Sequence, residues 1–152
     1  MFKRTTLLLS LVLIVVLLAL TACGGGAAKP AGSESQPAAA AGGNADNGKK
    51  LFNEPVIASA GSPGCVTCHS LEKGKTLVGP SMAGIATEAE ADLKKADYKG
   101  TAKTAEEFLK ESIVSPDVMV TQGFQPGIMP KTYTKLSAQE VNDLVAYLMT
   151  LK

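Results

Sequence analysis

The residues of this chain best equipped to do chemistry stand together, as Cys65-Val66-Thr67-Cys68-His69. Two thiols one helical turn apart can add across the two vinyl groups of a haem, and the residue that follows then lies under the iron. The C-x-x-C-H spacing therefore points to one covalently attached haem c, with His69 as the fifth iron ligand. Three other readings of the pair compete. A structural zinc site needs four ligands, but the chain holds one His and three Cys in all. A thioredoxin-like pair follows a strand in a β-α-β unit, and no strand pattern precedes Cys65. A plain disulfide leaves His69 without a purpose.

A single histidine rules out bis-histidine ligation within one molecule. The sixth ligand then falls to a methionine thioether, which raises the reduction potential relative to stronger donors. Beyond the N-terminal segment the methionines are Met82, Met119, Met129 and Met149. Met149 sits in a helical pattern, where core packing is its expected role. Met82 would have to cross from the histidine side of the ring, whereas Met119, in a loop after Pro116-Asp117, is geometrically possible. Met129 is better placed in Gly127-Ile128-Met129-Pro130, where Gly gives the backbone freedom and Pro stiffens the loop behind the sulfur.

The elements that must position these residues are helical. A short helix is expected from Asp46 through Phe52, stopped before Pro55, and Val56 to Gly64 reads as loop. Leu71 to Pro80 is also loop, and Ser81 to Lys95 holds one or two irregular helical turns. A firmer helix begins at Thr104, where Thr104 and Glu107 suggest a capping box, and runs to Pro116. The clearest helix is the last: Ser137 and Glu140 form a second capping box, and Val141, Leu144, Val145 and Leu148 recur at helical spacing. The fold class is all-α, about three to five helices with long loops wrapped around one haem.

The N-terminal part of the chain locates this domain. Lys3 and Arg4 precede an apolar run, and Thr5 to Ala22 supply 18 uncharged positions, at the short end of the roughly 17 to 25 that span a bilayer. Leu20-Thr21-Ala22-Cys23 resembles the lipobox of bacterial lipoproteins. Residues 1–22 are therefore expected to be a signal peptide, with Cys23 carrying diacylglycerol and N-acyl lipid; an uncleaved membrane helix is the alternative. From 23 to 44 follows a tether rich in Gly, Ala, Ser and Pro, with a reach on the order of 25 Å. The domain, 45–152, then faces the periplasm or the cell exterior, held to the cell membrane. Without Lys3 and Arg4, 13 basic residues stand against 14 acidic, leaving no basic stripe for nucleic acid.

Gly48-x-x-x-Phe52, Cys65-x-x-Cys68-His69, Gly79-Pro80 and Met129-Pro130, followed by an amphipathic terminal helix, together resemble a class I monohaem cytochrome c from Asp46 to Lys152. The resemblance implies that the first and last helices cross, with Gly48 allowing close approach and Phe52 packing near Tyr147. It also implies that the Pro80 carbonyl accepts the free ring N–H of His69. Thr104 to Phe108, Ser115-Pro116-Asp117, Gly123-Phe124 and Met129-Pro130 look like the cytochrome c domain of haem-copper oxidase subunit II. Lipid-anchored monohaem cytochromes of this kind also occur as subunits of the quinol-oxidising alternative complex III. Two intervals, 53–64 and 86–103, exceed a minimal member; solvated loop is their default reading and docking surface the alternative.

The function so implied is electron transfer between redox proteins or subunits of a membrane complex, not enzymatic turnover by the chain itself. Lys73, Lys75, Lys131 and Lys135 flank the ligand loops and could steer an acidic partner. The rival is a haem peroxidase or gas sensor whose Met ligand is displaced, although no second His is present to serve its open site.

Overall fold

The computed structural model describes residues 42–152. The expected signal peptide, Cys23 and most of the tether lie outside those residues. The first helix, α1, runs Ala45–Asn53. Asn44 caps it, its side chain accepting the Asn47 N–H at 3.0 Å. The helix ends before Pro55, as the restricted residue ahead of a proline requires. Packing begins slightly earlier than composition suggested: Gly43 is buried against Asn142, and the Asn44 N–H donates to the buried Asp143 carboxylate at 2.7 Å.

The terminal helix, α4, spans Ala138–Leu148 and opens on the complete capping box, Ser137 and Glu140 each accepting the other's backbone N–H. Val141, Leu144, Val145 and Leu148 are all buried, so the apolar period does face the core. α1 crosses α4 at Gly48, where the absence of a side chain lets the Asp143 carbonyl and the Tyr147 Cβ come close. Phe52 and Tyr147 meet edge-on there, with ring centroids 5.5 Å apart.

The helix α3 covers Ala105–Val114. Thr104 Oγ1 accepts the Glu107 N–H at 3.2 Å as expected, but the return bond of the capping box is displaced. The Glu107 carboxylate accepts from Lys103 N–H at 2.7 Å instead. Thr104 has φ −126°, against −63° at Ser137, and that rotation swings its own N–H out of reach of the carboxylate. The chain leaves α3 at Ser115 and passes into a 3-10 turn, Pro116–Val118.

Neither long interval is solvated loop throughout: each holds an ordered, partly buried element, while most of 93–103 is exposed loop. In 53–64 a two-residue strand, β1 (Val56–Ile57), pairs antiparallel with β2 (Ser62–Pro63), and Ile57 and Ala60 are each 1% exposed. In 86–103 the expected irregular turns are a regular helix, α2 (Ile85–Asp92), with Ala86 and Ala89 buried. Beyond it Tyr98 packs on Phe108 at 5.3 Å, donates its hydroxyl hydrogen to Glu111 and accepts the Ala102 N–H at 2.7 Å. The described residues thus hold four α-helices, and their one sheet is the two-residue pair. The fold is the small all-α one expected. Among the described residues no helix is long and apolar enough to cross a membrane.

Candidate functional site

An apolar cleft opens on α3, α4 and the loops around residues 65–82 and 116–133. Cys65–Thr67 form a 3-10 turn on its wall. The turn is fastened by Thr67 Oγ1 donating to Gly64 O at 2.7 Å, and by the Cys68 and His69 N–H groups both donating to Cys65 O at 3.1 and 2.9 Å. So held, Cys65, Cys68 and His69 all reach the cleft, and the two thiols are unbridged. Burial pushes the Cys65 thiol up to about 11.

His69 Nδ1 lies 2.9 Å from Pro80 O. A carbonyl can only accept, so Nδ1 carries the proton and Nε2 keeps the lone pair. Burial lowers the imidazole pKa, against a smaller upward pull from the Pro80 bond, and the ring is neutral at pH 7. Gly79 sits against the same ring. A Cβ there would fall 2.5 Å from His69 Cε1 and 2.8 Å from Nδ1, so the position needs glycine for clearance. The Gly79 N–H donates to Cys68 O at 2.9 Å and the Met82 N–H to Ser70 O at 2.8 Å, which lays the 79–82 segment along the histidine turn. The motif Gly79-Pro80 flagged the carbonyl; the clearance needed by the ring is visible only in the packing.

The structure sorts the methionines. Met149 lies at the C-cap of α4 and lines a separate, more polar cavity near Tyr98. Met82, Met119 and Met129 line the cleft. The Met129 loop turns through Gly127 at φ +79°, a conformation that favours glycine. Asp117, which sequence reasoning passed over, grips that loop: it accepts the Gly127 N–H at 2.8 Å and pairs with Lys131 Nζ at 2.8 Å. Lys131, aided by the Gly127 N–H, holds the Asp117 carboxyl below its usual range.

Behind Met129 a 3-10 turn, Lys131–Lys135, is braced by the β1–β2 hairpin. Tyr133 donates to Pro63 O at 2.7 Å, and the Thr132 and Ser62 hydroxyls are hydrogen-bonded. Burial pushes the Tyr133 phenol up to about 12. The 53–64 interval thereby supports the methionine side of the cleft.

These walls fit a flat, largely apolar ring with a transition metal at its centre. Free thiols stand ready to fix its edge, an imidazole lone pair and thioether sulfurs are donors that suit iron, and the remaining lining is mainly apolar side chains such as Phe108, Leu109, Ile113 and Leu144. Ser112 Oγ, on the same lining, is the buried side-chain polar atom that lacks a hydrogen-bond partner among the described residues. An orphan of this kind at a cleft wall is what a bound polar group would satisfy. Among the described residues no group of three or more His, Cys, Asp or Glu side chains is arranged to hold a metal ion. A family model described as Cytochrome c matches residues 45–152. No curated protein matches the chain.

Proposed function

We propose that this chain, which belongs to the cytochrome c family, is a membrane-tethered monohaem carrier in which Cys65 and Cys68 fix the haem and His69 and Met129 ligate it. Haem c and its use in electron transfer come with the family; the residue roles, the tether and the partners are our reading. When bound, the haem supplies an iron that changes charge by one electron. The observation that carries the residue assignment is the convergence of Cys65, Cys68, His69 and Met129 on one cleft.

Each residue has a defined task in this reading. His69 offers its Nε2 lone pair, while Pro80 fixes the tautomer and orients the ring. Met129 offers a soft sulfur from a loop pinned on both sides, so that the ligand set stays in place as the iron changes charge. Apolar walls exclude water, and a low dielectric around the iron raises its potential. At the rim, Val78 and Ile128 line the cleft and are each 56% exposed, giving electrons a short way out beside an apolar contact surface.

The partner is a redox protein or another subunit of an electron-transfer complex, of which quinol-oxidising alternative complex III and a terminal oxidase are the models. Of the four lysines near the ligand loops, Lys75 pairs with Glu72 and Lys131 with Asp117; Lys73 and Lys135 have no ion-pair partner among the described residues. The steering charge therefore rests chiefly on Lys73 and Lys135. Cys23 and its lipid hold the carrier at the outer face of the cell membrane, and Cys23→Ser should release it into the soluble fraction.

The ligand assignment is tested by Met129→Ala, which should abolish the near-infrared charge-transfer band of methionine-ligated ferric haem. Met119 also lines the cleft. A band that survives Met129→Ala and disappears in Met119→Ala moves the role to Met119.

A further inference from the structure

We infer that Asp117 is the positioning residue that holds Met129 on the iron, acting as a clamp across the loop that carries it. The inference rests on Met129 being the sixth ligand. One carboxylate makes two bonds, to the Gly127 N–H and to Lys131 Nζ, both at 2.8 Å. Those partners stand two residues before and two residues after Met129. The five residues 127–131 are thus closed into a small ring through a single side chain.

The anchor is set by its own element. Asp117 lies in the 3-10 turn Pro116–Val118, which follows α3 directly, with Pro116 buried and the Val118 N–H donating to Ser115 O at 3.0 Å. The clamp is therefore mounted on the helix that forms one wall of the cleft. Ahead of Met129 the loop has little else to hold it, whereas beyond Lys131 the 3-10 turn is braced by the hairpin. Ile128 is exposed, and Gly127 at φ +79° has no side chain to pack.

The two bonds differ in strength and in salt sensitivity. The Lys131 ammonium is largely exposed, and such an ion pair is weak and screened by salt. The Gly127 bond is charge-assisted and directed at backbone, about twice as strong as a neutral hydrogen bond. Releasing both lets the 127–131 loop open, and the energy lost appears as easier departure of the sulfur. The rest of the fold has no part in either bond.

The experiment measures displacement of the methionine in the haem-loaded ferric protein by added imidazole, followed through loss of the near-infrared band. Guanidinium unfolding of the same samples is recorded in parallel. Asp117→Ala should lower the imidazole concentration for half-displacement by about three- to tenfold, the scale of one solvent-exposed hydrogen bond, with the unfolding midpoint nearly unchanged. Asp117→Asn keeps an acceptor for Gly127 and should give a smaller effect. Lys131→Gln should match what 0.5 M salt does to the wild type, and salt should add nothing to it. Unchanged imidazole affinity in Asp117→Ala overturns the clamp. So does a gain in apparent imidazole affinity mirrored by an equal loss of global stability, because that marks a merely structural contact. Absence of the band in the wild type, or its survival in Met129→Ala, instead refutes the ligand assignment beneath it.

Discussion

Gly48→Ala is the most informative single change to the scaffold. A Cβ at this position would stand 2.5 Å from the Asp143 carbonyl carbon and 2.9 Å from Tyr147 Cβ, closer still to the Asp143 oxygen, where ordinary contact begins at 3.4 Å. α1 and α4 must part by more than an ångström to admit it. A gap of about 0.5–1 Å forfeits a quarter to a half of each dispersion contact across an interface. Overpacking of this kind costs about 1–3 kcal/mol, and loosening the Phe52–Tyr147 edge contact adds about 0.5–1.5 kcal/mol. Alanine returns about 1 kcal/mol through its better helix propensity, which leaves a net loss of about 2 kcal/mol. The midpoint of thermal unfolding of the haem-loaded protein should fall by about 8 °C or more. If Gly48→Ala is as stable as the wild type, or more so, helix propensity has won. The close crossing then does not exist in solution.

Three further outcomes follow from the same geometry. Gly79→Ala drives a methyl group into the His69 ring, so the ferric electron paramagnetic resonance lines should move and stability should drop by about 1–3 kcal/mol; an unaltered spectrum would mean the ring is not confined there. Ser112→Ala should destabilise the haem-loaded protein by about 1 kcal/mol if the bound group satisfies the hydroxyl, whereas a gain in stability would show that the hydroxyl stays unpaired. Glu111, which accepts from Tyr98 and from the Thr101 N–H and hydroxyl, is held below its ordinary value of 4.5 by those bonds, Tyr98 first. Its folded-state pKa is depressed, so its stabilising effect is complete above the ordinary value and fades as pH falls through the folded one. Denaturant midpoints of Glu111→Gln and wild type should therefore converge as pH falls below the ordinary carboxylate value, and curves that stay parallel from pH 7 downward would refute the linkage.

What the sequence made legible was whatever is encoded over short stretches. α4 could be read because a capping box and an apolar period agreed over a dozen residues, and the Cys65–His69 group because covalent chemistry demands fixed spacing. The hairpin at 53–64 gave no such signal, since two-residue strands are too short to alternate. Its place is fixed from afar: Ser62 meets Thr132 at a separation of 70 residues, and Ser59 donates to Glu140 at 81. α2 was read as irregular because its core face is only Ala86 and Ala89, too small to raise an apolar stripe. The roles of Asp117 as a grip on the Met129 loop and of Gly79 as clearance for the His69 ring were not legible for a related reason. Each acts on a neighbour in space, and the residue type alone does not say which neighbour.

The cleft and the hydrophobic core are not separate in this protein. Phe52, Phe108, Leu109, Ile113, Leu144 and Leu148 are among the most buried side chains, and the same six line the cleft. With no Trp, four Phe and three Tyr in the whole chain, little apolar volume remains to build a second centre. A group seated in the cleft is therefore part of the core, and by mass action whatever binds the folded form alone stabilises it. Under the proposed attachment through Cys65 and Cys68, that stabilisation would be permanent, independent of any free haem concentration. The helix crossing at Gly48 belongs to the same unit, because Phe52 touches Tyr147 on one side and the cleft on the other.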